Sequence, residues 1–480
     1  MSAHLLPLWM VLVPLAAAAL LLSPRVRARA DVLLVTVAFV EAALGCVIAA
    51  SAPSGSSAWG YVNVDATARL FLAVVNLIFL GISVYVRNRV MSEETLRGVV
   101  GGFTASALVF LGATNAVIVS NHLLAAWLAL EVSTLAITPA IVRQSLASRG
   151  AAWRYLLFSS VGLGLVLLGF VCLTRSLHLG SASSSLFLDD LARSGLASSN
   201  TWGKLGVALV LLGLGTKLGL APMYSWLPET YDEAPPAVSA LLGAIQWNGA
   251  LVLLFRVIHV FRPAHAELIT TQLVFMGAAS MLVSTFSIIA TRNLKRLVAY
   301  ASINHAGVIA IGLGIGKLAS YGLILYVVSN AFIKAILFLT AGKIKAHYGT
   351  KDTREISGLL KQLPYSGVFL MIGTFALLGF PPFGSFFGEL LILSALVGSG
   401  RMVIFGLFCV LITMTFVATG RTVFPMIWGE PKGDRTWPRQ TFLSATPKMV
   451  FLLALVVLGV YIPSVVNDLL LEVASSLERQ

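Results

Sequence analysis

Charge is scarce in this chain. Asp, Glu, Lys and Arg make up 11% of its 480 residues, against about 25% in an average soluble domain. Cysteine is scarcer still: Cys46, Cys172 and Cys409 fall in three separate apolar stretches. The first shortage excludes a water-soluble enzyme fold, because 58% hydrophobic residues at a mean hydropathy of +0.90 cannot be hidden in one core. The second excludes a disulfide framework and a cysteine-based zinc or iron–sulfur site. No two histidines have metal-ligand spacing, and no glycine-rich stretch has the strand–loop–helix setting of a phosphate loop. The expectation is therefore no metal, no cofactor and no catalytic residue, any redox centre belonging to a partner. Acidic residues are outnumbered 20 to 33, a net charge of +13. In a soluble protein that points to nucleic acid, but here the basic residues sit in short loops, where they record membrane orientation, and no nucleic-acid partner is expected.

What the sequence has in abundance is apolar runs of spanning length. Fourteen occur, near 5–22, 31–51, 68–86, 98–118, 122–142, 155–174, 205–227, 237–258, 268–290, 297–316, 320–342, 366–394, 402–424 and 447–466. In lipid every backbone donor and acceptor needs a partner in its own segment or in protein, and period-two alternation is absent, so the runs are predicted to be helices and not barrel strands. With the N-terminus outside, the inner connections collect 22 of the 33 Lys and Arg, in clusters such as Arg25, Arg27 and Arg29, or Lys343, Lys345, Lys351, Arg354 and Lys361. Fourteen spans with both termini outside fit this asymmetry. The first run is read as a retained helix, because arginines follow it and no basic residue precedes it. Two long connections, 175–204 and 425–446, read as surface loops, and a 14-residue tail follows the last run.

A charge at the bilayer centre costs at least about 2.5 kcal/mol, so intramembrane ionisable residues face the bundle interior and mark function. Glu41, Glu131, Lys217, Lys334 and Glu389 are such residues, with His305 a weaker sixth. Each has a plainer reading as an ion-paired or hydrogen-bonded packing residue. For Glu41 the alternative is a contact with a neighbouring subunit. Lys217 stands in a glycine-rich stretch ending at Pro222, which removes the hydrogen bond to the Leu218 carbonyl and is expected to open that carbonyl to water. The run 366–394 is likewise broken, at Gly379-Phe380-Pro381-Pro382, with Glu389 beyond the break. Two proline-broken segments five runs apart, each with a buried charge, predict an internal repeat of runs 4–8 and 9–13, the second copy inverted because five is odd. The acidic connection Pro228 to Pro236 is an inner loop without Lys or Arg; it is read either as a solvated turn or as a funnel concentrating cations.

These stretches resemble the antiporter-like subunits of respiratory complex I, of Mrp-type antiporters and of energy-converting membrane-bound hydrogenases. The resemblance is carried by Leu130-Glu131, by Thr216-Lys217 with Ala221-Pro222, by Trp226-Leu227-Pro228 and Glu233-Ala234-Pro235-Pro236, by Leu294 to His305, by Ala331 to Leu339 around Lys334, and by Gly379-Phe380-Pro381-Pro382 with Gly388-Glu389. These motifs extend over about residues 100–425. The resemblance implies an all-α bundle of fourteen transmembrane helices with two inverted five-helix repeats and two discontinuous helices. It makes Lys217 the proton-exchanging residue of a first half-channel, Glu131 its modulating partner and Glu389 the terminal group of a second, with Lys334 and His305 on the axis between. A carboxylate holds a buried ammonium in its charged form, so drawing Glu131 away would release the proton of Lys217. The sequence departs from the family where a mid-membrane lysine is often found: it has Gln246-Trp247-Asn248, and Asn248 can only orient water. The double proline before Glu389 and the ending Gly459 to Pro463 look most like component F of hydrogenase-4 or formate hydrogenlyase.

The organisation expected is an N-terminal group of helices in 1–97, a translocating core in 98–425, and an inner loop with a last helix in 426–480. The function implied is a membrane subunit of a redox-driven complex that carries protons or sodium across the cell's inner (plasma) membrane beside other membrane subunits. The rival readings are a subunit of a stand-alone cation/proton antiporter and a scaffold whose buried charges only pair helices.

Overall fold

The computed structural model describes residues 6–51, 55–57, 60–92, 99–142, 145–179, 185–193, 200–431 and 442–478. Arg97, Arg143, Lys432, Arg435 and Arg439, counted among the inner-loop cations, lie outside the described residues, as do parts of both long connections. Among the described residues the chain is helical apart from a ribbon of β1 (Gly55–Ser57) paired antiparallel with β2 (Val62–Val64).

The N-terminal helices are α1 (Leu6–Leu20), α2 (Pro24–Arg27), α3 (Ala30–Ser51) and α4 (Ala66–Ser92). There follow α5 (Val100–Val119), α6 (Leu123–Ile141), α7 (Leu146–Leu179), α8 (Leu188–Arg193), α9 (Thr201–Leu218), α10 (Trp226–Glu233) and α11 (Pro236–Leu241). A π-helical turn, Leu242–Gln246, leads into α12 (Trp247–Ala290), which kinks at the non-helical His265 just after Pro263. The kink joins what the sequence suggested as two separate spans. Next come α13 (Leu294–Ile315), α14 (Ser320–Tyr348), α15 (Leu359–Gln362), α16 (Pro364–Leu377), α17 (Gly384–Gly398), α18 (Met402–Trp428), α19 (Phe442–Val460) and α20 (Ser464–Glu478).

Each of the fourteen apolar runs falls on a helix or a broken helix pair. By length and apolarity, nine helical stretches among the described residues can cross a membrane, the two runs of α11–α12 counting as one; a tenth is added if α19 and α20, bent by 73°, form one span. Three shorter apolar helices, α1, α16 and α17, accompany them. The chain is an all-α, multi-pass membrane protein. Its polarity is inverted relative to a soluble domain: Phe275 and Val403 are 71% and 84% exposed, whereas Lys217 and Lys334 are 4% and 1% exposed. The expected 14-residue tail is instead largely the amphipathic α20, which packs on α4 and α14 and buries Leu470 and Val473.

Glycines let helices approach closely where the site is built. Gly162 of α7 faces Gly213 of α9, each lying against the other's backbone, and Gly322 of α14 faces Gly388 of α17 in the same way. These two seams clamp the helices that carry Lys217 and Glu389.

Candidate functional site

Two helix breaks position the charged groups. Helix α9 ends at Gly219, whose φ of 75° a side chain rarely adopts. The Gly219 amide donates to Thr216 and the Leu220 amide reaches back to Gly215 at 2.8 Å, a Schellman ending. Helix α16 ends in the same way: Gly379 has φ 65°, its amide donates to Ala376, and the Phe380 amide donates to Phe375 at 3.0 Å. A cis proline stands three residues after each glycine, Pro222 in one case and Pro382, preceded by Pro381, in the other.

In the first half, Lys217 occupies the last turn of α9, at its carbonyl end, where a cation is favoured. Its ammonium donates to Thr134 Oγ1 and lies 5.0 Å from the centre of the Tyr155 ring. Glu131 is on the same face of α6, one turn before Thr134. The two charges do not touch: Glu131 Oε1 accepts from Ser160 Oγ at 2.9 Å and its Oε2 is buried without a hydrogen bond. Thr134 and Ser133 also receive the side-chain amide of Gln246, at 3.4 and 3.0 Å, and Gln246 in turn accepts from Tyr155 at 2.7 Å. Lys217 thus ends a hydroxyl and amide network of Thr134, Ser133, Gln246 and Tyr155, while Glu131 bonds separately to Ser160. The Leu218 carbonyl, expected to be open to water, is taken by the indole N–H of Trp247 at 2.9 Å, and the Thr216 carbonyl by that of Trp226. The carbonyls on either side of the lysine are therefore both occupied.

Trp247 ties this half to the centre. The Lys334 ammonium sits 3.8 Å from the centre of the Trp247 ring and makes no hydrogen bond, so the π face is its counter-charge. Next to Trp247, Asn248 spends its Nδ2 on the Ala244 carbonyl at 2.6 Å and leaves its buried Oδ1 unpartnered. One turn before Lys334 on α14, both polar atoms of buried Asn330 lack partners. One further turn back lies Tyr326, which is hydrogen-bonded to His305 Nδ1. Tyr326, Asn330 and Lys334 thus line one face of α14 at intervals of about 6 Å.

In the second half, His305, Tyr326, Asn304, Thr415 and Glu389 line a cavity of about 20 Å³, room for one or two waters. Asn304 donates to Ser284 at 3.1 Å, and Thr285 and Thr415 share a hydrogen bond of 2.9 Å. The Glu389 carboxylate folds back toward the break, 2.8 Å from where a Cβ on Gly379 would stand. The structure therefore places Glu131 and the Thr134 partner of Lys217 one turn apart on α6, and brings His305 and Glu389 together across a cavity. Lys334 stands between, joined to neither by a direct bond.

The acidic connection is neither a free turn nor a cation funnel. Asp232, 3% exposed, pairs with Lys351 at 2.8 Å and with Arg296 at 3.1 Å, and accepts from Asn293. Lys295 donates to the carbonyls of Asp232 and Ala234, and Lys351 also pairs with Glu233. Burial alone would raise the Asp232 carboxyl, but the Lys351 bond and charge, with Asn293 and Lys295, hold it below its ordinary value. Cations from beyond α12 neutralise the loop, which the local sequence could not reveal.

Sequence reasoning missed Thr134, Tyr155, Tyr326 and Asn330, and gave Gln246 and Trp247 no contact with the groups around Lys217 and Lys334. The signal available was weak: a polar residue inside an apolar run, as at Ser329-Asn330 or Ser133-Thr134. Glu41, weighed as a contact with a neighbouring subunit, is instead wholly buried within this chain, against Asn115.

Residues 120–415 match the family described as NADH:quinone oxidoreductase/Mrp antiporter, TM. The chain belongs to this family. It is 30% identical to a hydrogenase-4 component F homolog of Methylacidiphilum infernorum over 73% of this chain and 74% of that protein. It is also 30% identical to NADH-quinone oxidoreductase subunit N 1 of Rhizobium meliloti, over 66% of each. In fold it is similar to a chain of the Mrp complex from Dietzia sp. DQ12-45-1b, with a TM-score of 0.87 at 20% identity, covering 100% of this chain and 98% of that one. As a family member it is an antiporter-like membrane subunit, and among the described residues no cluster of three or more His, Cys, Asp or Glu is placed to hold a metal.

Proposed function

We propose that this chain carries protons across the membrane as one subunit of a redox-driven assembly, of the kind its hydrogenase-4 and NADH-quinone oxidoreductase relatives are named for. The observation that carries the reading is the pair of matching Schellman breaks, one beside Lys217 and one beside Glu389, with buried polar side chains between them. In a bundle whose exterior is apolar, that placement is costly unless the groups exchange charge. Lys217 receives and releases the proton of the first half, Glu131 modulates it through Thr134 and Ser160, and Lys334, Asn330, Tyr326 and His305 relay it, with Asn248 orienting water beside Trp247. Glu389 is the terminal group of the second half, and Pro222, Pro381 and Pro382 hold the breaks open.

In this reading the fourteen helical runs each cross the membrane, and α5 to the first half of α12 and the second half of α12 to α18 form two inverted repeats, supported by the matching breaks and the paired glycine seams. The N-terminal helices (1–97) flank the core (98–425), and 426–480 supplies the last helix. Both termini face outward from the cell's inner membrane, and other membrane subunits supply the redox chemistry. The test is proton translocation by the assembled complex in liposomes with Lys217→Ala: protons moved per electron should fall by about tenfold or more, with electron transfer retained. An unchanged yield would overturn the role of Lys217.

A further inference from the structure

The N-terminal helices contain a second buried carboxyl that the core does not use. Glu41 lies mid-way along α3 and is 0% exposed, facing Asn76 of α4 and Asn115 of α5, each also 0% exposed. The fourth member comes from α1. Pro14 has no N–H to give the Met10 carbonyl, which instead accepts from Asn115 Nδ2 at 2.9 Å.

Counting hydrogens shows a deficit. Asn76 gives its two to the Leu72 carbonyl at 2.8 Å and Asn115 Oδ1 at 3.1 Å. Asn115 also has two, but three oxygens compete for them: Met10 O, Glu41 Oε2 at 3.3 Å and Asn76 Oδ1 at 3.3 Å. Glu41 Oε1 has no partner. Flipping either amide moves these hydrogens without adding one. Among the described residues no ion pair to Glu41 offsets the excess of oxygens. Helices α1 and α5 contain no ionisable side chain. Helix α4 brings Arg69, Tyr85, Arg87 and Arg89, α2 brings Arg25 and Arg27, and α3 itself has Asp31 and an exposed Cys46. Of these, Arg69 binds the Ala49 carbonyl and Glu472, and Arg87 lies near Asp31. A bare carboxylate here would be buried, uncompensated and short of donors.

We infer that Glu41, Asn76, Asn115 and the Met10 carbonyl form a proton-binding site, with one proton held on the Glu41 carboxyl supplying the missing hydrogen. The site lies before residue 120, outside the stretch matched by the family, and it does not depend on the pathway proposed above.

The test is infrared difference spectroscopy of the full chain in its complex, wild type minus Glu41→Gln, near neutral pH. Loss of one carboxylic-acid C=O band, unaffected by added sodium, is expected. Loss of carboxylate bands instead, or a response to sodium, would overturn it, the latter showing a metal cation in the proton's place. Glu41→Gln supplies N–H donors where the proton stood and should retain the wild-type melting temperature within a few degrees, whereas Glu41→Ala should melt lower. Should the Gln variant fail to fold, the wild-type chain is treated with a hydrophobic carbodiimide, which attacks protonated carboxyls in apolar sites. Adduct on the Glu41 peptide supports the site, and recovery of that peptide unmodified contradicts it.

Discussion

The breaks at Gly219 and Gly379 have the same hydrogen bonds, yet the charges they serve stand on opposite sides. Lys217 precedes its glycine by two residues, at the carbonyl end of α9; the residue in that place in the second half is Leu377. Glu389 follows its glycine by ten, and the residue ten after Gly219 is Glu229, which turns outward to pair with Arg154. One backbone device thus presents a cation before the break and an anion after it. The difference shows how one backbone device can serve charges of opposite sign.

The largest stability effect is expected where α10 meets the cations of the second half. Asp232→Asn should destabilise by about 2–3 kcal/mol, because Arg296 and Lys351 lose a buried partner, seen as a lower melting temperature in detergent. The pH dependence has a definite sign. A carboxyl held below its ordinary value stabilises the fold above that value and ceases to as the pH falls through its folded-state titration. Wild-type melting should therefore be flat from neutral pH down to about 4 and decline below it, with Asp232→Asn flattening the decline.

Alanine at either break glycine should cost about 1–2 kcal/mol, for the positive φ alone. The two variants should part in transport. A Cβ at Gly379 meets the Glu389 carboxylate, so Gly379→Ala should lower translocation beyond its effect on stability, whereas at Gly219 the added atom meets Leu227. Equal transport losses, corrected for folded protein, would remove the asymmetry. Trp247→Phe should have the smallest effect, about 1 kcal/mol, since it keeps a π face for Lys334 but leaves the Leu218 carbonyl without its donor.

Much of this was legible in the chain because the physics of lipid is severe. Lys217, Lys334, Glu131 and Glu389 announce themselves as charges inside apolar runs, and Gly379-Phe380-Pro381-Pro382 announces a break. What was not legible depends on packing between distant segments. Nothing near Leu218 tells that Trp247 will occupy its carbonyl, and nothing in Glu229 to Pro236 tells that Lys295, Arg296 and Lys351 will neutralise it. The kink at His265 and the amphipathic α20 were missed for another reason: a proline-containing connection and a polar tail read as non-helical unless the surface they pack on is known.

In the proposed function the two halves act in series on one proton path. The direct measurement is protons translocated per electron by the reconstituted complex with Lys217→Ala, Glu389→Gln and both together. A series path predicts that each single change lowers the yield to the same floor and that the double variant lies no lower. Two partial losses that add in the double variant would contradict it and make the halves independent.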